Sequence, residues 1–180
     1  MNNIEMDNQQ ESSKLIRYGW FAGIMDGEGT ITIRKRNRKN SSDILLTPTI
    51  TMVNTDKTLI DEFVSILKEW EVPYWITFYK GTVNWKASWK VEITGIRRCS
   101  RTMPFFKDYL INKKELANLV LDWCTYRIKN LGNRSNYTEY DLEVYKKIKA
   151  LHGHKVVLKS SETICGTSYK EEDEEIVRTA

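Results

Sequence analysis

Tyr18-Gly19-Trp20-Phe21-Ala22-Gly23-Ile24-Met25-Asp26-Gly27-Glu28-Gly29-Thr30 is the stretch on which the reading of this chain turns. It joins a helix to a strand. The helix is expected from about Ser13 to Asp26, with Ser12 or Ser13 as its cap and Leu15, Ile16, Trp20, Phe21, Ile24 and Met25 as its apolar contacts. Gly27 and Gly29 end it. Asp26 and Glu28 then stand at a helix C-terminus, whose partial negative charge makes each acid there cost about 0.3–1 kcal/mol. A positive partner removes that penalty, and a hard cation such as Mg²⁺ takes oxygen ligands of this kind. The glycines flanking Glu28 permit unusual backbone angles and the close approach of another backbone. Ala22 and Gly23, one turn back, would let two helices pack tightly. The plainer alternative is a surface turn, because Asp and Gly are ordinary turn residues. An EF-hand loop is excluded, since the further oxygen ligands at its spacing are missing.

Outward from this junction the pattern alternates between helix and paired strands. Thr30 to Arg38 has Ile31 and Ile33 on one face and Thr32, Arg34, Arg36 and Arg38 on the other. After a polar turn over Asn37 to Asp43, Ile44 to Val53 is again strand-like. A helix is expected over Asp56 to Trp70, stopped by Val72-Pro73. A hairpin follows, with strands over Tyr74 to Lys80 and Asn84 to Ile93 about a turn at Gly81. A short helix near Pro104 to Leu110, a longer one over Lys113 to Lys129 and another over Thr138 to Leu151 complete the chain. The order is αββαββα followed by more helix, an α+β class with an antiparallel sheet. The helix-DGEG element occurs once.

The 180 residues include 41% hydrophobic side chains with 6 Trp, 9 Tyr and 5 Phe, enough for a real core, and disorder by composition is excluded. No apolar run approaches the roughly 18 residues of a membrane span and no signal peptide opens the chain. The expectation is a soluble, intracellular protein, in the cytoplasm or an organelle. Cys99, Cys124 and Cys165 are far apart and unpaired in pattern, which suggests neither zinc nor a disulfide framework. His152 and His154 are too few for a structural zinc site and read as a helix-exit turn. The net charge is +4. It is unevenly spread, with a basic block at Arg34, Lys35, Arg36, Arg38 and Lys39 and an acidic run at Glu171 to Glu175. A basic body of this kind suits a polyanion.

Phe21 to Gly29, FAGIMDGEG, resembles the motif of the LAGLIDADG homing endonucleases. Thr49 to Thr58 (TITMVNTDKT), Asp61 to Tyr74 and Leu110 to Leu121 (LINKKELANLVL) resemble later segments of the same family, so the likeness spans about Leu15 to Lys129. It implies an αββαββα fold with a saddle-shaped antiparallel sheet lying in the DNA major groove. It also implies two motif helices packed side by side, with their last acids binding divalent metal at the symmetry axis. By position Glu28 is the metal ligand and Gly27 adds a backbone carbonyl, while Asp26 supports the motif turn. Glu28 stands where the motif's name has Asp. Lys113 matches the family's cation near the scissile phosphate. Asn54 falls near the position that orders water around the metal, in an alignment that can slip by a residue or two. The implied cofactor is Mg²⁺ or Mn²⁺, with Ca²⁺ binding but not supporting cleavage.

With one motif per chain, the resemblance implies a homodimer joined through the motif helices and making metal-dependent double-strand cuts in a long, near-palindromic DNA target, as in intron homing. Trp20, Phe21, Ile24 and Met25 serve either that seam or the core. On the strands, Thr32, Arg34, Arg36 and Arg38 would enter the groove, joined by Lys86, Ser88 and Lys90 and by Lys80 near the second turn. Lys35 and Lys39 would meet phosphates. Trp75, Tyr79 and Trp89 could contact the bases but are expected in the core. The competing reading within the same fold is an intron RNA-splicing maturase or a non-cleaving DNA-binding regulator. A small protein-interaction module would explain neither the acids at the helix end nor the alternating arginines. The expected division is a flexible N-terminus over 1–12, a folded domain over 13–152 and a charged tail over 153–180.

Overall fold

A helix of 25 residues, α1 (Asn3–Gly27), opens the computed structural model, which describes residues 3–37, 44–131 and 136–153. It begins well before the expected start near Ser13, because no glycine or proline interrupts the chain before Gly19. Helix α1 therefore includes residues 3–12, the segment whose flexibility is an expectation of the sequence. Strands β1 (Gly29–Asn37) and β2 (Ile44–Asn54) follow, then α2 (Lys57–Glu69), β3 (Trp75–Tyr79) and β4 (Ser88–Thr94). Asp56 caps α2, its carboxylate accepting from the Thr58 N–H at 2.7 Å. The helical part closes with α3 (Ile96–Thr102), α4 (Lys114–Tyr126) and α5 (Glu139–Leu151).

The four strands form one antiparallel sheet in the order β1-β2-β4-β3. Period-two alternation sorts their side chains. Ile31 and Ile33 of β1, Ile50 and Met52 of β2 and Val91 and Ile93 of β4 are buried beneath the helices. They meet Phe21 and Met25 of α1, Ile60, Phe63 and Ile66 of α2 and Val120 and Trp123 of α4 in one core. Phe21 stacks on Phe63 with ring centroids 4.3 Å apart. The opposite face of the sheet carries no helix side chains among this core and presents Arg34, Arg36, Lys90 and Glu92.

Three expectations shift. The second hairpin is shorter than predicted, so Lys86 lies in the connection before β4. There Thr82 and Trp85 exchange backbone hydrogen bonds. The helix foreseen at Pro104 to Leu110 is two 3₁₀ turns, Met103–Phe105 and Lys107–Tyr109, preceded by the unforeseen α3. Only Cys99 and Thr102 of α3 are buried, so its sequence IRRCSRT lacks the apolar period that marks a helix. Finally, α4 gives way to a π-type turn at Arg127–Leu131 instead of running on to Lys129. Cys99 and Cys124 are buried free thiols, and Cys165 lies outside the described residues. Burial pushes the Cys99 thiol up to about 12, which keeps it protonated and inert. Among the described residues no helix is long and apolar enough to cross a membrane.

Candidate functional site

The C-terminal end of α1 is where the described residues gather the predicted chemistry. Its last turn passes directly into β1, with the Glu28 N–H donating to the Ile24 carbonyl at 2.8 Å. Gly29 is required at this junction. A Cβ there would lie 2.7 Å from the Met25 carbonyl oxygen and closer still to the Met25 side chain. Neither Gly27 nor Gly29 has a positive φ, so the expected unusual angles are absent and close approach is the reason for Gly29.

Asp26 turns away from its own helix. Its carboxylate accepts from the backbone N–H groups of Ile111 (2.6 Å), Asn112 (3.3 Å) and Lys113 (2.9 Å). These amides lead into α4, whose N-terminal end carries partial positive charge and welcomes an anion. The same contact brings Lys113 to α1, where its ammonium donates to the carbonyls of Met25 (2.8 Å) and Asp26 (2.6 Å). The predicted penalty of acids at a helix C-terminus is therefore offset within the chain. Asp26 faces the start of another helix, and a lysine sits on the exposed carbonyls. Burial lowers the pKa of Lys113, while the charges of Asp26 and Glu28 oppose that shift.

Glu28 is different. It is exposed, near enough to Lys113 to act on it electrostatically, and among the described residues its carboxylate makes no hydrogen bond. Gly27 beside it is exposed as well. Asn54 ends β2 and lies toward the α1–β1 junction, since Gly29 pairs with Met52. Its side chain, however, accepts from the Asp56 N–H at 2.8 Å and so shapes the turn into α2. Among the described residues no three His, Cys, Asp or Glu side chains converge to hold a metal. The donors present, a carboxylate with free lone pairs and a neighbouring carbonyl, fit a hard cation that keeps several waters.

The outward face of α1 carries a further feature. Gly19, Gly23 and Gly27 recur every fourth residue, hence on one helix face, and a Cβ added at any of them would meet nothing within 4 Å. Ile16 and Leu15 near this face are exposed, while Trp20 and Ile24 are half-buried. Phe21, Ala22 and Met25 belong to the chain's own core, which removes Ala22 from any seam between helices.

On the open sheet face, Thr32 is buried, Arg34 half-buried and Arg36 exposed. Ser88 and Lys90 share that face from β4, and Lys80 and Lys86 are exposed in the hairpin connection. Lys35 belongs to the opposite face with Ile31 and Ile33, where burial lowers its pKa. It is thereby separated from the arginines. Arg38 and Lys39 lie outside the described residues. The aromatic residues of the second hairpin correct the expectation of burial. Trp75 is 61% and Tyr79 47% exposed, and only Trp89 is half-buried, packed on Phe78 at 5.1 Å. Trp75 and Tyr79 pair with Glu92 and Ser88 and so lie on the open sheet face, which the periodicity of β3 alone cannot reveal.

No family model matches the sequence, and no curated protein matches it significantly. Solved structures do resemble the fold. The homing endonuclease I-CvuI in complex with its target in the presence of calcium superposes with a TM-score of 0.57 at 16% identity, over 78% of this chain and 80% of that one. The group I intron-encoded homing endonuclease I-CeuI complexed with DNA gives 0.53 at 13% identity, over 73% of this chain and 65% of that one. The meganuclease I-SmaMI bound to uncleaveable DNA gives 0.55 at 20% identity, over 76% of this chain but only 44% of that one.

Proposed function

We propose that this chain, which has the fold of the LAGLIDADG homing endonucleases, is a DNA endonuclease that cuts both strands of a specific site as a homodimer with divalent metal. The observation that carries the reading is Glu28, an exposed carboxylate without a hydrogen-bonding partner among the described residues, placed beside Lys113 at the end of α1. An exposed acid at a helix C-terminus has no structural use there, and the glycines around it leave room for a second helix end. Two copies joined along Gly19, Gly23 and Gly27 would bring two Glu28 carboxylates together. The neighbouring structures bound to DNA, one with calcium, support the same reading.

Each residue then has a distinct task. Glu28, with the Gly27 carbonyl, would hold Mg²⁺ or Mn²⁺, which when bound supplies charge stabilisation for phosphodiester hydrolysis. Lys113 is fixed by two carbonyls and retains one more N–H donor than they use, available to a phosphate oxygen. Asp26 acts at a distance from the chemistry, holding the approach to α4 so that Lys113 meets α1. Asn54 is reached only as the end of β2, and its side chain is engaged in the turn. The open face with Arg34, Arg36 and Lys90 would follow the DNA, with arginine able to bond two guanine acceptors.

Incubation of the protein with a randomised duplex library and Mg²⁺, beside Glu28→Gln, tests the reading. Discrete metal-dependent double-strand cuts that vanish in the variant are expected, and cuts that persist would remove Glu28 from the site. Gly23→Leu should weaken self-association by roughly 5- to 150-fold in sedimentation, as overpacking a close helix contact does. A second reading, an RNA-binding maturase of the same fold, is favoured by the exposed Trp75, Tyr79 and Trp85, because unstacked bases stack on such rings. RNA retention that is lost in Trp85→Ala, without DNA cutting, would select it.

A further inference from the structure

The open face of the sheet holds an acid, Glu92, that none of the roles above uses. Glu92 lies in β4 opposite Thr51 of β2, on the same face as Lys90. Its Oε2 accepts from Arg34 Nη1 at 2.8 Å and from Lys90 Nζ at 2.8 Å. Its Oε1 accepts from the Thr94 hydroxyl at 3.0 Å. Arg34 is held a second time, Nη2 donating to the Thr51 hydroxyl at 3.3 Å. The carboxylate, whose side chain is only 14% exposed, thus ties β1 to β4, and Arg34 carries the link on to β2 between them. Burial opposes its ionisation, but hydrogen bonds from Lys90, Arg34 and Thr94 outweigh it and bring its pKa down to about 2.

An anion on a surface meant for a phosphate polymer needs an explanation. Two cations against one anion leave the cluster net positive, so the face remains attractive to DNA. Three donors already take three of the carboxylate's roughly four lone-pair sites, and its side chain is only 14% exposed, so Glu92 has little left to offer a base amino group. What Glu92 does supply is constraint. An arginine loses many rotamers when it reads a base, and one anchored beforehand at two points loses fewer. Its remaining N–H donors stay available.

We propose that Glu92 is a positioning residue for base recognition. It fixes Arg34, with Lys90 alongside, so that the guanidinium presents its unused donors to a guanine at one position in each half of the target. This rests on the open face being the DNA-reading surface proposed above, and the test separates the two.

The full-length protein selects binders from a randomised duplex library without added metal, beside Glu92→Gln, Arg34→Ala and the double variant, with folding followed by circular dichroism. The wild type is expected to retain guanine at one position per half-site. Glu92→Gln should lower that discrimination by about tenfold or more while sparing the other positions. Arg34→Ala should relax the same position, and the double variant should relax it no further. If Glu92→Gln melts early, Glu92→Asp keeps the charge but shortens the reach, and it must relax that same position. A wild-type motif that Glu92→Gln leaves unchanged, or relaxes at a position other than Arg34→Ala does, overturns the role of Glu92 alone. A wild type that selects no motif overturns the DNA-reading face, and this inference with it.

Discussion

Two carboxylates in this molecule do similar local work with opposite consequences. Asp141 is fully buried in the first turn of α5 and accepts from the Thr138 amide (2.7 Å), the Trp123 indole (2.8 Å) and Arg127 (3.2 Å). Arg127 is 1% exposed and also lies 4.7 Å over the Tyr137 ring. Asp26 is half-buried and accepts from three backbone amides at the approach to α4, with a lysine nearby. Around Asp141 the charges close on one another in the core and bind α4 to α5. Around Asp26 they do not close. The lysine goes to carbonyls, and Glu28 is left pointing out with nothing to bond among the described residues. A closed buried cluster serves stability. An incomplete, exposed one leaves donors and acceptors for a ligand.

Replacing each acid measures how far that distinction holds. Asp141→Ala strands the Arg127 guanidinium in the core and should cost about 3–5 kcal/mol in urea or guanidinium unfolding. A smaller loss than that of Asp26→Ala would reverse the comparison. Asp26→Ala removes the acceptor for three amides at a half-buried site and should cost about 1–3 kcal/mol, with Lys113 drawn away from α1. Glu92 is intermediate, partly exposed but ion-paired. Its folded pKa lies below the ordinary 4.5, so its contribution is complete above that value and is lost as pH falls toward about 2. Acid unfolding of Glu92→Gln should therefore be flatter over that window than that of the wild type. The smallest effect on stability is expected for Glu28→Gln, within about 0.5 kcal/mol, although the same change should abolish cutting. A large stability loss there would mean that Glu28 is structural after all.

The legibility of these features follows their range along the chain. The Ile31/Ile33 alternation against Thr32, Arg34 and Arg36 was readable from period two, and β1 sorts its faces in that way. Asp56 and Trp70 bound α2 where the apolar pattern and Val72-Pro73 place its ends. Glu92 follows Lys90 on the same face, but nothing local marks it as the partner of Arg34, 58 residues away. The Asp26 contact offers no local signal, since its partners are more than 80 residues away. The exposure of Trp75 and Tyr79 is not legible locally, because aromatic residues in a strand are usually covered and only the pairing with β4 puts these two on the open face.

By itself the sequence determined the order of elements from α1 to β4, which side of β1 is apolar, and that two acids end the first helix among glycines. Those are properties of neighbouring residues, set by backbone geometry and by which side chains avoid water. The tertiary structure alone decided that Asp26 spends its charge on a distant helix start, that Glu28 keeps its own, and that Glu92 gathers one cation from β1 and one from its own strand. Such outcomes depend on register and on which groups the closed fold brings within hydrogen-bonding distance, and no residue carries that information until the chain has closed on itself.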